Sequence, residues 1–89
     1  MKFDEFTRIE RCEDLPGPRG YEPGVMYIKD DFFFGFACPC GCERVTVLPG
    51  DTWGCTISDD DKPTIAPSIK CIGGCESHYW IRGGKVVWC

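Results

Sequence analysis

The sequence predicts a small all-β domain, and three observations carry that prediction. Short apolar runs rich in β-branched and aromatic residues recur from Val25 onward, separated by turns of proline, glycine and aspartate. The last two runs flank Gly83-Gly84, the spacing of a two-residue β-hairpin. Between the runs, Cys38-Pro39-Cys40-Gly41-Cys42 sets three thiols within five residues, a pattern no hydrophobic strand requires.

At 89 residues the chain is one domain, residues 1–89. A core of that size gains from a staple, and eight cysteines offer one. Alternate cysteines cannot pair with each other without strain, because a disulfide needs a set Cα separation and angle. A divalent metal can take two or three sulfurs from so tight a turn. Zinc suits the role, since thiolates at about 2.3 Å in a tetrahedron are its usual structural shell. The expectation is therefore a zinc-stabilised β domain with a zinc-knuckle turn and a C-terminal hairpin. A rubredoxin-like iron site would need paired CxxC loops, which this chain lacks.

Composition narrows the function. The net charge is −4 and unevenly spread. Residues 1–62 carry thirteen acids and seven bases, and residues 63–89 carry one acid and three bases. With no stripe of Lys and Arg, nucleic-acid binding has no electrostatic footing, whereas a protein partner or a peptide-like substrate fits. No apolar run is long enough to span a bilayer. Met1-Lys2-Phe3-Asp4-Glu5 turns acidic at once and does not read as an export signal. The expected location is the reducing cytoplasm, where cysteine clusters bind metal more often than they form disulfides.

Taken in order, residues 1–24 read as an irregular N-terminal segment. Phe3, Phe6 and Ile9 would share one helical face, but three positions serve equally as apolar groups packing onto a core. Three prolines and three glycines over residues 15–24 exclude a regular element there. Val25–Ile28 reads as a strand, followed by a polar turn at residues 29–31. Phe32–Ala37 is apolar on both faces, as a buried strand would be. It delivers the chain to the cysteine turn, and Arg44–Leu48 is the return strand. Pro49-Gly50-Asp51 turns the chain into Trp53–Ser58. Asp59-Asp60-Asp61 reads as a solvated loop rather than a cation site. Thr64–Ile69 contains Pro67, which predicts an edge strand or an extended loop. Gly73-Gly74 breaks the chain before Cys75. The hairpin follows, with Arg82 opposite Lys85, Ile81 opposite Val86, Trp80 opposite Val87, Tyr79 opposite Trp88, and His78 opposite Cys89. Tyr79 and Trp88 read as a core aromatic pair.

The metal ligands cannot be chosen by spacing alone. Cys38, Cys40, Cys42, Cys75, His78 and Cys89 are six candidates for four places. Cys12, Cys55 and Cys71 read as small core residues, with a Cys71–Cys75 pairing as an alternative. His78, the single histidine, has two roles open to it: zinc ligand, or general base through an imidazole that titrates near neutrality. Ser68, Ser77 and Cys89 are the candidate nucleophiles in reach of it.

At these residues the chain resembles a known family. PGVMY (23–27), CPCGC (38–42), Trp53, PTIAPSI (63–69), CESHYWIRGGKVVW (75–88) and Cys89 look like a domain-of-unknown-function family of small cysteine-rich phage and bacterial proteins. Some of its members carry an ammonia monooxygenase label, and relatives sit beside bacterial ubiquitin-like proteins and their conjugating enzymes. That resemblance implies a zinc-stabilised serine peptidase that processes or removes a ubiquitin-like protein. It implies Ser68 as nucleophile and His78 as general base, with Cys38, Cys40, Cys42 and Cys75 as the zinc shell. Relatives often have Ser or Thr where Ala66 stands, and glycine where Glu43 stands. The resemblance supplies no third catalytic residue, and Asp59, Asp60 and Asp61 are the nearest acids in sequence. The rival reading is a non-catalytic zinc module that binds a protein partner and uses His78 as a ligand.

Overall fold

The computed structural model describes residues 2–17, 19–29, 33–42, 44–71 and 75–89. Among these residues, eight strands form two four-stranded sheets. The first holds β1 (Arg8–Cys12), β2 (Val25–Lys29), β3 (Phe33–Ala37) and β4 (Val45–Pro49), in that spatial order. The second holds β5 (Gly54–Ile57), β6 (Pro63–Lys70), β7 (His78–Arg82) and β8 (Lys85–Trp88), also in chain order. The fold is thus a small all-β domain. None of its described elements is a helix long and apolar enough to cross a membrane.

The polar turn at residues 30–31, Phe32 and the Gly73-Gly74 break lie outside the described residues.

Where turn chemistry is local, the strands fall where the pattern placed them. Gly83 and Gly84 have φ of 57° and 83°, the left-handed values a two-residue primed hairpin turn demands. The β7–β8 register runs Tyr79–Trp88, Trp80–Val87, Ile81–Val86 and Arg82–Lys85. The Cys89 N–H then donates to the His78 carbonyl at 2.9 Å. Tyr79 is fully buried, but its partner Trp88 stays 37% exposed, so only half of that aromatic pair is core. The two rings meet edge-on, 5.4 Å apart. The Lys2 ammonium lies over the indole ring, 5.4 Å from its centroid.

Residues 1–24 are not wholly irregular, because they contain β1, which pairs in parallel with β2. Parallel neighbours need a long connection, and the proline- and glycine-rich stretch between them is that crossover. Its irregular composition is legible in sequence, but the strand it returns from is not. Ahead of β1 the chain bridges both sheets. Phe3 N–H donates to the Pro39 carbonyl (3.0 Å), Phe6 N–H to Gly84 (2.6 Å) and Val86 N–H to Asp4 (2.8 Å). The fully buried Phe6 ring stands edge-on to Phe36 at 5.4 Å.

β6 is likewise not an edge strand, since it pairs with β5 on one side and β7 on the other. Pro67, preceded by a cis peptide bond, sits where the β6–β7 register shifts between Ile65 and Ile69. An interior strand tolerates a proline only where the ladder is broken, and here the irregularity supplies the break. The core joins Met26, Ile28, Phe34, Phe36 and Leu48 of the first sheet to Ile65, Ile69, Tyr79, Ile81 and Val86 of the second.

Candidate metal centre and serine–histidine pair

β3 ends at Ala37 and runs straight into the cysteine turn. Gly41, with φ of 83°, takes the left-handed conformation that lets the chain reverse within it. Gly41 N–H donates to the Cys38 carbonyl (3.1 Å) and Cys38 N–H to the Arg44 carbonyl (2.9 Å), which closes the turn onto the start of β4. Cys75 arrives from the segment just before β7. The sulfurs of Cys38, Cys40, Cys42 and Cys75 then all lie within 4.8 Å of one another, Cys38 buried and the others half-buried.

The spacing of those sulfurs tests what they can hold. Cys38 Sγ is 3.4 Å from Cys40 Sγ and 3.6 Å from Cys75 Sγ. Those separations far exceed a disulfide bond of about 2.05 Å, and none of the eight cysteines is in a disulfide. They approach the edge of a tetrahedron with sulfurs about 2.3 Å from its centre, which is about 3.8 Å. The group can therefore hold a metal ion. The Cys71–Cys75 pairing does not form, and Cys71 Sγ lies 3.8 Å from Thr46 Oγ1 instead. Cys12, Cys55 and Cys71 are half-buried, at the margin of the core rather than within it.

The electrostatics of the cluster point the same way. Burial pushes the Cys38 and Cys42 thiols up. The side chain and backbone of Ser77 hydrogen-bond Cys75 and draw it down to about 6. At Cys40 burial raises the thiol, but hydrogen bonds from Ser77, Cys38 and Cys42 outweigh it, and the net shift is downward. Four adjacent sulfurs cannot all carry negative charge unaided, and the thiols divide into two pushed up, Cys38 and Cys42, and two drawn down, Cys40 and Cys75. A bound cation would remove that conflict. Ser77, a candidate nucleophile by sequence, is thus hydrogen-bonded to the thiols of Cys40 and Cys75. Its position between two ligand candidates was the available signal.

The second constellation lies on β6 and β7. His78 and Lys70 are directly paired across these strands. The register irregularity brings Ser68 within reach of the same ring, and His78 Nε2 stands 3.0 Å from Ser68 Oγ. His78 is exposed and Ser68 half-buried, so the pair opens to solvent. Neither His78 nor Cys89 belongs to the sulfur cluster. The acidic loop serves itself: Asp60 accepts a hydrogen bond from Ser58, and Asp59, Asp60 and Asp61 are all exposed. Among the described residues no carboxylate is hydrogen-bonded to His78.

One contact has no counterpart in the sequence pattern. The Trp53 indole N–H donates to the Ser68 carbonyl at 3.4 Å while its ring packs against the core. Trp53 stands ahead of β5, fifteen residues away, and nothing in its spacing marks that approach.

Compared with family models, the chain matches, over residues 12–89, that of the bacterial ubiquitination-like system serine protease (BubE). Neither a curated protein nor a solved structure matches it.

Proposed function

We propose that this chain, which belongs to the bacterial ubiquitination-like system serine protease (BubE) family, cuts a ubiquitin-like protein or its conjugate with Ser68 and His78. The observation that carries this reading is the 3.0 Å contact between Ser68 Oγ and His78 Nε2, within range for a nucleophile and its base. With Nε2 unprotonated, the Ser68 hydroxyl donates to it. As Oγ attacks the scissile carbonyl, the proton passes to Nε2. His78 then gives that proton to the departing amine, leaving an acyl group on Ser68. Water, deprotonated by the same nitrogen, attacks the ester and restores the serine. Among the described residues no acid meets the imidazole, so the pair is read as a dyad carried by the β6–β7 ladder.

Zinc is the ion proposed for the four sulfurs, because an all-thiolate tetrahedral set is its usual structural shell. Its task is architectural. It would tie the knuckle after β3 to the segment that leads into His78. We place that work in a reducing compartment, where cysteine clusters bind metal more often than they form disulfides.

Ser68→Ala and His78→Ala, each assayed for metal content and for cleavage of a ubiquitin-like precursor, test the reading. Retained metal with abolished cleavage in both variants is the expected result. Loss of metal from the His78 variant would instead support the non-catalytic metal module and sink the peptidase assignment.

A further inference from the structure

We infer that the groove between β4 and β6 seats an extended, acidic, otherwise apolar peptide segment of the substrate beside Ser68; the inference rests on the peptidase reading above. The groove has a volume of about 310 Å³, and β4 forms one wall while Trp53, Ile69 and Lys70 form much of the other. It borders the reacting residue. Trp53 lines it and also holds the Ser68 carbonyl, and Ile69 follows Ser68 in the chain.

Both walls carry a stretch of strand without a strand partner on one side, although on β6 Pro67 has no N–H and the Ser68 carbonyl already accepts from Trp53. β4 is the last strand of its sheet, so one side of it has no strand partner. β5 covers β6 only from Pro63 to Ala66, leaving residues 67–70 without a β5 neighbour. A chain laid between them can add to an edge by main-chain hydrogen bonds, which do not depend on side-chain identity. Side-chain chemistry then selects the occupant. Val47 is 46% exposed on β4 and, with Trp53, gives an apolar surface. The charged lining residues are Arg44 and Lys70, both cationic. Neither is ion-paired among the described residues. In a chain of net charge −4 that local excess of positive charge favours acidic side chains on the peptide.

The test uses the full-length, metal-loaded Ser68→Ala variant and two acetylated, amidated hexapeptides. One is Glu-Val-Leu-Val-Glu-Ala, and the other carries lysine at both glutamate positions. Calorimetry is expected to show the acidic peptide binding about tenfold more tightly than the basic one. Adding Lys70→Glu, which leaves Arg44 beside one new carboxylate, should remove most of that preference. Adding Val47→Glu, an exposed position, should weaken the acidic peptide by about tenfold. Equal affinities, no binding, or indifference to Val47→Glu overturns the inference. So does a concentration-dependent dimer that Val47→Glu dissolves, which would make a second copy of the chain the occupant. Fluorophosphonate labelling of Ser68 in the wild-type chain, read by mass spectrometry, tests the nucleophile separately. Its failure would sink the peptidase reading and leave the peptide affinities to decide the groove.

Discussion

Cys38 and Cys75 meet across 37 residues of sequence, whereas Ser68 and His78 are only ten apart and sit on neighbouring strands. The sulfurs gather at the ends of elements, where no β-ladder fixes them, and their shared negative charge opposes the gathering. The serine and histidine are carried by paired strands, and β7 is held on its other side by the final hairpin. One site is thus a cluster that could hold a metal ion, and the other is carried by the sheet. Cys75 lies just ahead of β7, so the two sites share one segment of chain.

Metal removal should break that comparison most severely. Structural zinc contributes about 10–16 kcal/mol of apparent binding free energy in thiolate-rich peptides. A whole domain is commonly stable by only about 5–15 kcal/mol. Chelation, or Cys75→Ser, is expected to unfold the chain or lower its thermal midpoint by tens of degrees, with activity lost as a consequence. Calorimetry with and without chelator checks this.

Ser68→Ala or His78→Ala should do the reverse. Cleavage is expected to fall by about a thousandfold or more while metal content and thermal midpoint stay at wild-type values. A matched fall in stability would mean that the two sites are not separable.

Phe6→Ala probes the stitch between the sheets. Removing a fully buried phenylalanine costs about 3–5 kcal/mol, measurable by denaturant titration. The expected outcome is a less stable domain whose folded fraction still holds its metal.

Trp53→Phe sharpens the comparison at its finest point. It keeps the apolar ring and deletes the hydrogen bond to the Ser68 carbonyl. A loss of about 1 kcal/mol is expected, seen as a several-fold lower kcat with KM for a small ester nearly unchanged. An unaltered kcat would show that the indole only fills space.

Much of the β-structure was legible because it rests on nearest neighbours. Gly83-Gly84 sets the hairpin register through its own backbone angles, and four predicted pairs follow from that one turn. Pro67 was legible too, but it misled. Proline does exclude a regular interior ladder, and the chain answered with a register shift instead of an edge. β1 was illegible because Arg8–Cys12 is charged and mostly exposed, and a parallel partner beyond a crossover leaves no local signature.

The amino-acid order alone determined the cysteine turn, most of the strands and the hairpin, since these depend on φ preferences and alternation over a few residues. The tertiary structure decided the rest: Cys75 closes on the knuckle, His78 turns to Ser68 rather than to the sulfurs, Ser77 serves the thiols, and Trp53 reaches the Ser68 carbonyl. Those are contacts between distant segments, and their geometry exists only once two sheets share one core.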